Sequence, residues 1–146
     1  MNNCIPEIYR LIQDISWYFG NQGFDGECCD GLSLVEYMAL KKAYDTQYVS
    51  MQELGVMLNI SKSGISKVID RLEARSYIKR EQSASDGRVC CVLPTEEGVD
   101  ALTRIAGRYS DYLQETLSAM EPQSLQRMEK SLRLLLEAIQ QKGFIK

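Results

Sequence analysis

Apolar residues recur at helical spacing along most of this chain, and the points where the spacing breaks divide it into an ordered series of elements. Ile8, Leu11, Ile12, Ile15 and Tyr18 or Phe19 share one side of a predicted first helix, Ile5 to Phe19. Gly20-Asn21-Gln22-Gly23-Phe24-Asp25-Gly26 interrupts it, and a loop extends to Gly31. Ser33-Leu34-Val35-Glu36 has the form of a capping box, in which serine and glutamate each satisfy the other's backbone; it opens a second helix through about Ala43. Ser50-Met51-Gln52-Glu53 repeats the device and opens a short third helix to Leu58. Ser61 is placed to cap a fourth helix running to about Arg75.

Beyond the fourth helix the period changes. Tyr77 to Glu81 and Val89 to Leu93 read as two short strands around the polar, turn-forming loop Gln82 to Arg88. Thr95 then caps a long helix through about Met120, and Pro122 stands in the first turn of a last helix that ends near Lys142-Gly143. The predicted class is mainly α with a small β-hairpin wing (α+β). No repeat, low-complexity tract or flexible linker interrupts the series.

The last helix carries Leu125, Met128, Leu132, Leu135, Leu136 and Ile139, a stripe broad enough to require a partner. The first helix is similarly apolar on one face. Both lie at the ends of the chain, away from the compact middle, and this predicts a subunit interface in a homodimer.

Ser50 to Leu72 carries the most chemistry. Leu54, Leu58, Ile60, Ile65, Val68, Ile69 and Leu72 supply the buried corner of two helices meeting at a sharp turn, with Gly55 at their close approach. The other side of the second helix presents Lys62, Ser63, Ser66, Lys67 and Arg71, following the cap residue Ser61. Short hydroxyls and long cations on one rod are the side chains that reach base edges and phosphates in a major groove. A solvated charged face is the plain alternative; the tight Leu58-Asn59-Ile60-Ser61 turn and the basic hairpin that follows argue against it.

Charge qualifies this picture. The formal net charge of the 146 residues is −3, unfavourable to a polyanion partner, yet Ser61 to Arg88 holds seven Lys or Arg against four Asp or Glu. A basic segment in an acidic chain is a focused footprint for double-stranded DNA. The length suits one domain. With no histidine, triads built on histidine and His-rich metal sites drop out, and no enzyme is expected. Neither a secretion signal nor an apolar run of about 18 residues is present, so a cytoplasmic protein without a membrane partner is expected.

At Ser50 to Gly98 the sequence resembles the multiple-antibiotic-resistance regulator (MarR) family of bacterial and archaeal transcription factors. The family's Leu-Glu-x-x-Gly-Leu-Ile-x-Arg element is similar to Leu72-Glu73-Ala74-Arg75-Ser76-Tyr77-Ile78-Lys79-Arg80. Its Asp-Arg-Arg wing, followed by Leu-Thr-x-x-Gly, is similar to Asp86-Gly87-Arg88 and Leu93-Pro94-Thr95-Glu96-Glu97-Gly98. Ser76 replaces the usual glycine, and Gly87 the first wing arginine. The resemblance implies a winged helix-turn-helix over residues 33–94, with dimerisation helices in 1–32 and 95–146 of one MarR-like domain spanning 1–146. It implies that Arg88 enters the minor groove, oriented by Asp86. It also implies a repressor that binds a pseudo-palindromic operator as a dimer, with a small-molecule effector in a cleft between the dimer helices and the winged part. A winged-helix module that binds protein instead of DNA is the alternative; the cationic helix face disfavours it.

Five cysteines remain, an odd number that speaks against a disulfide framework. Cys28 and Cys29 lie in the acidic, glycine-containing run Asp25-Gly26-Glu27-Cys28-Cys29-Asp30, where a thiophilic metal, a metalloid or an oxidant is a candidate signal, beside the reading that they are incidental. Cys90 and Cys91 are consecutive on a strand and point to opposite faces, so one is expected inside and the other outside. No pattern assigns Cys4 a role. Tyr9, Trp17, Tyr18, Phe19, Tyr37 and Tyr44 form an aromatic set that suits either a core or a pocket for a phenolic or lipophilic effector.

Overall fold

The computed structural model describes residues 3–20 and 31–146. Six helices and three strands follow in the order α1 (Ile5–Gly20), α2 (Leu34–Thr46), β1 (Val49–Ser50), α3 (Met51–Leu58), α4 (Lys62–Ala74), β2 (Ile78–Gln82), β3 (Cys90–Pro94), α5 (Glu96–Thr116) and α6 (Pro122–Lys142). Both capping boxes form. Ser33 Oγ accepts the Glu36 amide and Ser50 Oγ the Glu53 amide, while each glutamate returns to its serine's backbone N–H. The strands make one antiparallel sheet in the order β1-β3-β2.

Helix boundaries depart from the sequence reading by a few residues. Helix α2 runs on past Ala43 to Thr46, ending where Gln47 turns to positive φ and returns its amide to the Ala43 carbonyl. Helix α5 stops at Thr116, and the residues up to Met120 close in successive turns. The hairpin strands begin and end one residue later than their alternation suggests. The third strand, β1, is new. Its two residues are too short to alternate, and pairing of Val49 with Val92 and Ser50 with Cys91 defines it.

The chain divides into two compact units, residues 1–105 and 106–146. The first holds the core: Leu32, Ala39, Leu40, Ala43, Val49, Leu54, Ile65, Ile69, Leu72, Ile78, Val92, Ala101 and Ile105 are all essentially without solvent contact. Helices α1 and α6 contribute nothing to it. Neither buries a single residue, although both are amphipathic. In α6, Leu132, Leu136 and Ile139 stand about half in solvent and Leu125, Met128 and Leu135 are half-buried. No helix among the described residues is long and apolar enough to cross a membrane.

Two helix ends explain the local sequence. The carbonyls of Leu72 and Glu73 accept from the Tyr77 and Ser76 amides, a Schellman end to α4 that sets Ser76 at φ 62°. A left-handed residue with a side chain costs roughly 1–2 kcal/mol, so glycine suits this position and serine occupies it under strain. The chain then turns into the sheet and comes back at Thr95, whose amide donates to the Tyr77 carbonyl and whose Oγ1 accepts the Gly98 amide. Helix α5 thus starts hard against Tyr77. A Cβ on Gly98 would overlap the Tyr77 carbonyl, which is backbone and has no rotamer to escape into. Gly98→Ala should lower unfolding free energy by about 1–3 kcal/mol, the range for overpacking, as read from the urea midpoint at unchanged slope; an unshifted midpoint would show that the contact relaxes freely.

Candidate nucleic-acid interface

The corner between α3 and α4 is built by the backbone. Helix α3 ends with Asn59 in the left-handed region (φ 55°), the Ile60 amide donating to Gly55 and the Asn59 amide to Val56. A Cβ at Gly55 would lie 3.2 Å from the Ile60 carbonyl oxygen and 3.4 Å from Ile65 Cγ2, so the glycine allows the chain to fold back this tightly. Ser61 Oγ accepts the Gly64 amide at 3.1 Å and lies 3.4 Å from Ser63 Oγ. Its oxygen is thereby committed to the cap, at the exposed start of α4.

Helix α4 buries Ile65, Val68, Ile69 and Leu72 on one side. Directly opposite, three and four residues apart, lie Ser63, Lys67, Asp70 and Ala74, all exposed. Lys62 is exposed and Ser66 half-buried along one flank of that line, and Arg71 is exposed on the other. No acidic residue occupies the first turn, so the partial positive charge of the helix start and the two lysines act together toward an anion.

Sequence reasoning passed over Asp70, which stands in the middle of the outward line between Lys67 and Ala74. Its three-residue offset from Lys67 was the available signal. Arg80, from β2, forms a close ion pair with the Asp70 carboxylate and also lies 3.9 Å from Glu73. Two further arginines tie α4 to earlier chain. Arg71 Nη1 is 3.5 Å from Glu36 Oε1, whose side chain is largely buried. Arg75 Nη1 donates to the Gly31 carbonyl at 2.7 Å, and its guanidinium lies 5.1 Å from the centre of the Tyr77 ring. Arg71 therefore sits at the edge of the surface with a carboxylate already beside it, whereas Lys67 has its surroundings open.

In the wing, Asp86 Oδ1 accepts the Arg88 amide at 3.0 Å and the Asp86 carbonyl accepts from Val89. Asp86 fixes Arg88 through its backbone and leaves the guanidinium exposed. At Gly87 an added Cβ would meet nothing within 4 Å, so the missing wing arginine is not excluded by packing.

Cys28 and Cys29 lie outside the described residues. Cys91 is buried and Cys90 half-buried; in register, Cys91 faces Ser50 and Glu81 while Cys90 faces Gln82. Hydrogen bonding with Cys91, reinforced by desolvation, holds the Tyr48 phenol above its ordinary pKa. Cys4 is exposed. Of the aromatic set, none is buried within the single chain, so these residues are not its core: Tyr9, Trp17, Tyr18 and Tyr44 are exposed and Phe19 and Tyr37 half-buried. Among the described residues no three His, Cys, Asp or Glu side chains gather as a metal would require.

A family model described as MarR family matches residues 32–90, the stretch from the start of α2 to the start of β3. Over this stretch the chain is similar to the MarR family. Among similar proteins, the Bacillus subtilis HTH-type transcriptional regulator MhqR is 24% identical over 103 residues, 70% of this chain and 71% of that protein. The crystal structure of a cysteine-to-serine mutant of MarR from E. coli superposes with a TM-score of 0.74 at 16% identity, covering 93% of this chain and 98% of that one. A mutant of S. aureus MepR, solved bound to an oligodeoxyribonucleotide, superposes with a TM-score of 0.64 at 18% identity over 91% of this chain and 96% of its own. These likenesses fix the fold as a MarR-type winged helix, with six helices and a small antiparallel sheet among the described residues.

Proposed function

We propose that this chain, similar to the MarR family over residues 32–90, is a DNA-binding transcription regulator acting as a repressor. It binds a pseudo-palindromic operator as a homodimer. The observation that carries this reading is the outward line of α4, where Ser63 and Lys67 project from a helix start free of acidic residues and held by the α3–α4 corner. Helix α4 enters the major groove, the wing brings Arg88 to the adjacent minor groove, and bound protein occludes polymerase. The apolar faces of α1 and α6, bare in the single chain, support pairing of two copies. Such a pair presents its two α4 helices about 34 Å apart, one turn of DNA.

Titration against duplex DNA from the gene's own upstream region, at several salt concentrations, tests the reading. Specific DNA should bind more tightly than scrambled DNA, and log K should fall linearly with log salt, with a slope set by the number of phosphates contacted. A protein-binding winged helix would show neither sequence preference nor that slope, and this result would displace the proposal.

A further inference from the structure

An acidic side chain on the most exposed line of a DNA-facing helix is electrostatically misplaced, because the phosphates repel it. Asp70 occupies that place, four residues before Ala74 and three after Lys67. Its side chain is 60% exposed, yet its carboxylate is paired. Arg80 reaches it from the middle of β2, and Glu73, one turn further along α4, stands on the same guanidinium. The Arg80 side chain is only about one-third exposed (32%), whereas Lys62, Lys67 and Arg88 are freely exposed.

The position of Arg80 gives the contact its meaning. It lies in a strand whose five residues all pair with β3, and the loop between those strands carries Arg88. The hairpin is rigid in register, so whatever fixes β2 against α4 fixes the wing tip too. Ile78 and Val92 are buried at the base of the sheet, and Arg80 joins β2 to α4 directly through a hydrogen-bonded ion pair with Asp70, with Glu73 3.9 Å away.

We infer that Arg80 is a positioning residue: clasped by Asp70 and Glu73, it sets the angle between wing and recognition helix so that Lys67 and Arg88 meet DNA in register. This deepens the DNA-binding reading and rests on it. Arg80 need not touch DNA, and the two acids on α4 serve binding despite their charge.

The sign of one measurement separates this from simple electrostatics. Removing two negative charges from a DNA-facing helix by Asp70→Asn with Glu73→Gln should tighten binding if charge alone matters. If the acids aim the wing through Arg80, the same change should weaken binding to duplex DNA from the upstream region by about tenfold, the scale of one lost specific contact. Combining it with Arg88→Ala supplies the second arm. A wing already without its arginine has nothing left to misplace, so the combined variant should bind about as weakly as Arg88→Ala alone. Arg80→Met, which keeps the length and sheds the charge, should behave in the same way in both backgrounds. Thermal unfolding of each variant checks the fold, and if one melts early the other still carries the test. Tighter binding of Asp70→Asn with Glu73→Gln, or losses that multiply with Arg88→Ala, would overturn the inference while leaving wild-type DNA binding intact; failure of the wild type to bind DNA would instead defeat the reading beneath it.

Discussion

Lys67→Glu should abolish operator recognition while leaving the folded chain unchanged, with affinity falling by about 100-fold or more. The substitution first removes a cation from the middle of the outward line of α4, a loss of roughly 1–3 kcal/mol for a groove or phosphate contact. It then sets a second carboxylate beside Asp70, and at 0.1 M salt the Debye length of about 10 Å leaves the repulsion from neighbouring phosphates largely unscreened. Stability should hardly move, since Lys67 is exposed and, among the described residues, forms no ion pair to strand. Electrophoretic mobility shift with operator DNA, alongside thermal unfolding, reads both quantities. Binding within about threefold of wild type, well short of one lost contact, would mean that a different surface meets DNA.

Leu72→Ala should act in the opposite manner, through the fold. Leu72 is fully buried, and its carbonyl receives the Tyr77 amide that closes α4. Truncating a buried leucine costs about 2–5 kcal/mol, depending on how far the cavity collapses. Against a total stability on the order of 5–15 kcal/mol, this is a large share. The urea midpoint should drop accordingly at fixed slope, and DNA binding should recover wherever folding is restored by cooling or osmolyte. A midpoint shift no larger than that of an exposed substitution would show that Leu72 is not packed in the core.

The two variants mark what local sequence carries and what it does not. Both capping boxes, the Ser61 cap and the burial of Ile65, Val68, Ile69 and Leu72 depend on residues three or four apart, and the chain displays them in order. The Asn59 and Ser76 turns are half visible: each site shows as a break, and only the carbonyls of Gly55 and Leu72, taking amides from beyond the helix end, make it a Schellman closure. Strand β1 has no signal of its own, because a two-residue strand exists through its partner. The arginines are the least legible. Arg71, Arg75 and Arg80 read as three equal cations, yet Arg71 meets a carboxylate 35 positions away, Arg75 a carbonyl 44 away, and Arg80 an aspartate on the neighbouring helix. Nothing in spacing distinguishes them from Lys67. Partners brought together by the tertiary fold do.

Helices α1 and α6 carry apolar faces on which, among the described residues, no side chain is buried. In the homodimer proposed above, association of two copies would scale with the square of their number, so halving the copies per cell would remove more than half of the DNA-binding form.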